Sequence, residues 1–248
     1  MILRPEGEAV LAIGQASHAW LSGQLARAWG NDRFPVPAPL EEVVLGALQH
    51  DVGMAEWDLR PERSAATGLP LQFFELDRPT HLALWTAAPR RVLSQSRYAA
   101  LLVSLHGTGL YERFPPKTDD PEIARAVAAY LDGQRALQAE LAAALGAPPE
   151  ELARNQALLA LWDGLSLALC RDQVPHALHL DATTFTLDRA AEGHDTFTLD
   201  PWPFAVDRLA LRAEGRRLDG APYPDGPALQ RALDRAPVLT VGLVLRPA

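Results

Sequence analysis

The chain has 248 residues, 48% of them apolar and 22% charged, enough for a sizeable core in one large domain or one domain with a small appendage. A net charge of −8 argues against a nucleic-acid partner, which calls for a basic face. The single cysteine, Cys170, excludes an intrachain disulfide and a multi-thiolate metal site.

Met1–Arg4 and Ala9–Ile13 read as short extended pieces around a Pro-Glu-Gly turn. This start lacks the basic-then-apolar order of a signal peptide, and no apolar run reaches membrane-spanning length. The expectation is a cytoplasmic protein without a membrane partner. Ser17 is placed to cap a helix through Trp20, Leu21, Leu25 and Trp29, stopped by Gly30-Asn31. Leu40 to His50 reads as a second helix with Val44, Leu45 and Leu48 on one face, followed by a loop over 58–70. One or two turns are expected at Leu71–Leu76, then a helix from Thr80 to Ser94, begun by Pro79 and broken or kinked at Pro89. Tyr98 to His106 is a short apolar helix, and Gly107, Gly109, Pro115, Pro116 and Pro121 mark 107–121 as a long loop. Two long helices follow, Pro121 to about Leu145 and Glu150 to about Arg171.

Beyond Pro175 the pattern changes to strand-like alternation in TTFTLD (183–188), TFTLD (196–200), 206–219 and 238–247. These stretches predict a small antiparallel sheet over 174–248, which the N-terminal hairpin is free to join. The fold class expected is mainly α: a helical metal-binding domain over 1–173, with a β-rich segment over 174–248 packed on it. The TFTLD strands also offer an edge for a homodimer contact.

Four of the seven histidines fall in or beside predicted helices: His18, His50, His81 and His106. His50-Asp51 ends an apolar helix and offers a nitrogen ligand and a bridging carboxylate from one stretch of backbone. Taken alone, such a pair is as readily a helix C-terminus with a favourable histidine. Asp163 lies in ALLALWDGLSLALC, apolar on nearly every side, where a carboxylate must be paired or ligated. An arginine partner or a local cap is the competing explanation for it, and a surface position at a helix start is the competing one for His81. His176, His179 and His194, in the strand-rich tail, are expected at the surface.

The order His, His-Asp, His, His, Asp over about residues 15–170 resembles the HD-domain superfamily, specifically its two-metal members, among them mixed-valent di-iron oxygenases and multi-histidine phosphodiesterases. The resemblance implies an HD-like helical bundle with two divalent transition-metal ions (Fe, Mn, Zn or Co). His18, His50, Asp51 and Asp163 would hold one ion, and Asp51 would bridge to a second on His81 and His106. Asp51, His81 and His106 are then the catalytic candidates. The segments QASHAWLSGQLA, HDVGMAEWD, SLHGTGLY and LWDGLSLALC are also similar to an uncharacterised bacterial family known only as a domain of unknown function.

Two ions about 3.5–4 Å apart either activate a hydroxide for attack on phosphorus or, as mixed-valent iron, activate dioxygen. By the usage of the superfamily, the expected function is a phosphohydrolase acting on a small molecule or nucleotide. A di-iron oxygenase on a small polar substrate and a catalytically silent metal- or ligand-binding domain stand as alternatives. A phosphate needs cations near the metals, and Arg60, Arg63, Arg90, Arg91, Arg113 and Lys117 lie in segments beside the ligands. Gln15 and Tyr111 complete the substrate-binding candidates, with Glu56, Trp57 and Asp58 as outer supports and 107–117 as a lid.

Overall fold

Period-2 alternation builds a sheet much larger than an appendage. The computed structural model describes residues 1–248. Seven strands, β1 (Ile2–Glu6), β2 (Ala9–Ile13), β3 (His176–Leu180), β4 (Thr183–Arg189), β5 (Thr196–Asp200), β6 (Leu209–Leu218) and β7 (Val238–Pro247), form one sheet in the order β1-β2-β6-β7-β5-β4-β3. The N-terminal hairpin joins through β2 against β6. The sheet is mixed, because β5 pairs parallel to β7 and every other pair is antiparallel. Alternate residues of the strands, such as Phe185 and Leu187, Phe197 and Leu199, and Leu243 and Leu245, turn to the core, while their neighbours face outward.

Seven α-helices complete the chain: α1 (Gln15–Ala28), α2 (Leu40–Gln49), α3 (Arg78–Val92), α4 (Arg97–Arg113), α5 (Pro121–Leu145), α6 (Pro149–Arg171) and α7 (Gly226–Arg235). Helix α1 lies on β6, tied by the Ser17 hydroxyl accepting from the Glu214 N–H at 2.6 Å. The largest apolar cluster merges Leu21 and Leu25 of α1 and Trp162, Leu165 and Leu169 of α6 with Phe185, Phe197 and Leu243 of the sheet. Helices and sheet therefore share one core, stabilised by burial worth about 25 cal/mol per Å² of apolar surface.

The mainly-α expectation is corrected: half the residues are helical, 21% are in strands, and the sheet curls into a half-barrel, giving an α/β fold. The HD-type helical bundle falls with it. An order of ligand residues on successive helices does not encode what those helices pack on, and here α1 and α6 pack on a sheet. Two local expectations also change. Helix α3 runs through Pro89 without ending there, and α4 continues through Gly107 and Gly109 to Arg113, so no lid spans 107–113. Gly107 serves close packing, since a Cβ there would meet the Tyr130 hydroxyl at 2.4 Å and the Trp85 ring at 2.8 Å. Helix α7, capped by Asp225 and burying Leu229 and Leu233, lies in a stretch expected only as part of the sheet. No helix is long and apolar enough to cross a membrane.

Candidate metal centre

Four helices meet above the sheet with their polar side chains turned inward. Helix α1 supplies His18, the C-terminal end of α2 supplies His50 and then Asp51, α4 supplies His106, and α6 supplies Asp163, all buried. Gly53, two residues past Asp51, lets this stretch lie directly on α3, because a Cβ there would stand 2.5 Å from the Leu84 carbonyl oxygen. Serines from α1 and α6 lock the arrangement. Ser22 donates to the Trp162 carbonyl, and Ser166 donates to the Asp163 carbonyl while accepting from His18 Nδ1 at 2.7 Å.

Hydrogen bonding decides which ring nitrogens face the centre. A carbonyl only accepts, so His50 Nδ1 carries the hydrogen it donates to Ala47 O at 2.8 Å. His18 Nδ1 likewise donates to Ser166, so on both rings Nε2 is the nitrogen that faces the centre, where a metal would need it bare. Those two Nε2 atoms are 3.1 Å apart. His18 Nε2 lies 2.9 Å from Asp51 Oδ2 and 3.5 Å from Asp163 Oδ1, and His50 Nε2 lies 3.6 and 3.4 Å from the same oxygens. Two imidazole nitrogens and two carboxylate oxygens thus converge, with the Gln15 amide donating to Asp51 Oδ2 at 3.1 Å.

A transition metal binds such atoms at about 2.0–2.2 Å, so adjacent ligands around it stand roughly 3–3.5 Å apart. The observed separations fit that shell. Every ion-pair partner of Asp51 and Asp163 is a histidine, so no arginine or lysine balances the two buried carboxylates. An arginine partner for Asp163, one of the explanations open from sequence, is absent. Burial opposes ionisation of both acids, yet the histidines around them hold both carboxyls below their ordinary range. Burial also pulls His50 down, but the Asp51 and Asp163 carboxylates outweigh it and raise it to about 9. His106 is lowered to about 4 by burial and stays neutral at pH 7. Its Nε2 lies 3.8 Å from Asp163 Oδ2, and His50, Asp51 and His106 form a second group of ligand atoms within 4.8 Å.

His81 stands apart from both groups. The Trp85 indole donates to its Nε2 at 3.0 Å, so its Nδ1 holds the hydrogen and donates to the Tyr111 hydroxyl at 2.6 Å. Both ring nitrogens are therefore engaged. Burial first, and Arg78 next, lower it to about 4.

Asp51, His81, His106 and Asp163 open onto a cavity of about 260 Å³, otherwise walled mainly by Met54, Phe73, Phe74, Leu110 and Phe114. Gln15 and Tyr111, expected from sequence, line it as well. Gln15 Oε1 is buried there without a partner, an acceptor open to a water or a ligand. Arg60, Arg90, Arg113 and Lys117 are exposed and outside its lining. Arg63 instead donates to the Tyr223 carbonyl, and Arg91 pairs with Glu56 at 3.2 Å. Asp58 accepts from the Gln15 N–H and holds the start of α1. The only cation lining the cavity is Arg78, which sequence reasoning passed over; its signal was its place three residues before His81 on one helix.

An α/β protein with a buried His3Asp2 cluster under an apolar pocket is the class that fold and site define. The chain belongs to the family described as a protein of unknown function (DUF3891), which it matches over residues 1–220. No curated protein and no solved structure matches it.

Proposed function

We propose that the protein is a metal-dependent hydrolase that cleaves a small phosphate ester in the pocket above His18, His50, Asp51, His106 and Asp163. One observation carries this: two imidazole Nε2 atoms and two carboxylate oxygens from four buried side chains converge at ligand spacing with no arginine or lysine among them, so that without a metal the proton on His50 is what offsets the carboxylates. Acceptors meet this way around a positive ion, and a divalent ion balances both carboxylates.

His18, His50, Asp51 and Asp163 would hold that ion, and His106 with the shared carboxylates offers a second position. When bound, such an ion supplies Lewis-acid polarisation and makes a water acidic enough to attack at neutral pH. The chain's own groups supply the rest. With the second position unfilled, His106 is neutral and free to take a proton from the attacking water. The partnerless Gln15 Oε1 accepts a hydrogen from that water and orients it. As the water oxygen bonds to phosphorus, the P–O ester bond breaks and the leaving oxygen takes up the proton that His106 removed, so one water is consumed for each alcohol and phosphate released. The apolar walls keep bulk water out and strengthen each of these contacts.

The same nitrogen and oxygen donors also suit iron, and an apolar pocket suits oxygen chemistry, so metal identity separates the two reactions. Protein reconstituted with manganese, zinc, cobalt or iron is assayed on p-nitrophenyl phosphate, with Asp163→Asn and His106→Gln beside it. Metal-dependent release of nitrophenol, lost in Asp163→Asn and slowed in His106→Gln, is the expected result. Native protein filled with iron, consuming oxygen and inert to phosphate esters, would overturn hydrolysis.

A further inference from the structure

We propose that Arg78 and Tyr111 form an oxyanion-recognition pair and that the pocket takes a small aromatic monoester, with the oxyanion on that pair and the ring among Phe73, Phe74 and Phe114. This deepens the hydrolase assignment and rests on it only in calling the oxyanion a phosphate.

Four observations lead there. First, Arg78 is half-buried, is the one cation lining the cavity and makes no ion pair, unlike Arg27, Arg91 and Arg135, which each find a carboxylate. A guanidinium partly removed from water and without a counter-charge favours an anionic ligand. Its neighbour Asp77 is occupied in accepting from the Thr80 N–H at the start of α3. Second, Tyr111 already accepts from His81 Nδ1, so its own hydroxyl hydrogen is free for a ligand. Trp85 fixes this polarity by donating to His81 Nε2. Arg78 and Tyr111 are neighbours, the guanidinium carbon lying 5.5 Å from the ring centre.

Third, two large aromatics stay in water at the mouth: Phe74 is 55% exposed and Phe114 is 65% exposed, and both line the cavity. Exposed rings rimming an otherwise buried pocket mark a surface that an apolar ligand covers. Fourth, the volume sets the size. A cavity of about 150 Å³ accepts a benzene ring. The roughly 260 Å³ here takes a ring and one compact oxyanion and is too small to enclose a nucleotide. His81, aligned by Trp85 and holding Tyr111, is a positioning residue in this scheme.

The test is calorimetric binding of phenyl phosphate, phenylacetate, inorganic phosphate and adenosine monophosphate to the metal-loaded protein, to Arg78→Gln, to Phe114→Ala and to metal-free Asp163→Asn. Phenyl phosphate is expected to bind about tenfold or more tighter than inorganic phosphate. Arg78→Gln should weaken both aromatic anions about tenfold or more. Phe114→Ala should keep its metal and shrink the advantage of phenyl phosphate over phosphate. Phenylacetate should still bind metal-free Asp163→Asn, because Arg78 and Tyr111 are untouched there. Inorganic phosphate or adenosine monophosphate binding as tightly as phenyl phosphate, or unchanged binding by Arg78→Gln, would overturn the pair. Binding as expected with no ester cleaved under any metal would leave the pair standing and remove hydrolysis alone.

Discussion

Proton displacement by the metal can be worked from the site in some detail. In the metal-free protein His50, raised to about 9 by Asp51 and Asp163, carries a proton on Nε2 throughout pH 6–8. That atom must lose its proton to bind a metal. The carboxyls of Asp51 and Asp163 are held low and His106 is lowered to about 4, so none of these contributes a second proton in that window. His50 should therefore release one proton for each ion bound. Through His50 alone the apparent association constant should rise about tenfold per pH unit, hence by at least roughly 100-fold or ~2.7 kcal/mol between pH 6 and 8. Titration calorimetry with zinc or manganese, in buffers of different ionisation enthalpy, counts the protons directly. Affinity flat over that range with no proton released would show that His50 Nε2 is not a ligand.

Stability without metal should follow a dome in pH. Between pH 4 and 6.5 the unfolded chain binds more protons, because folded His106 and His81 are lowered to about 4, so stability rises with pH there. His50, raised to about 9, works the other way. Its contribution, on the order of 3 kcal/mol, is complete below its unfolded value of 6.5 and lost as pH climbs to about 9. Denaturant melts in chelator at pH 5, 6.5 and 9 check this, and a monotonic trend would contradict it. Ser166→Ala should leave the circular dichroism unchanged but lower metal affinity about 10- to 100-fold, since it frees His18 Nδ1; equal affinity would discount that support. Gly53→Ala forces a methyl to 2.5 Å from the Leu84 carbonyl and should cost about 1–3 kcal/mol, read as a fall in melting temperature. An unshifted melt would mean that the close approach of α3 is not required.

The buried His/Asp cluster was visible in sequence because each member broke a local rule. His18, His106 and Asp163 stand in apolar helices where only a specific partner justifies burial, and His50-Asp51 ends another. Helices α5 and α6 were equally plain, with proline at both starts and glycine ending α5. What failed was the inference from ligand order to fold. The strands carried their period-2 signal, but nothing local told that a parallel β5–β7 pair would gather all seven into one curled sheet. Gly107 and Gly109 resembled a loop start because the packing of Gly107 against Trp85 and Tyr130, and of Gly109 against Gln156, is a tertiary fact. Arg78 escaped for the same reason, since its place in the pocket depends on where α3 begins relative to α4. His81 and Trp85, four residues apart on one helix, could have been paired from spacing, which would have placed His81 beside the buried His/Asp cluster.

Metal content bears most directly on the buried centre. The protein is purified without chelator or a metal-affinity tag and analysed for elements per chain, beside Asp163→Asn and a His50→Ala, Asp51→Ala double variant, each confirmed as folded. One to two equivalents of a divalent transition metal in the native protein, lost in both variants, is the predicted result. A folded native protein that holds no metal even after reconstitution would contradict it, leaving the converging histidines and carboxylates as a proton-balanced cluster.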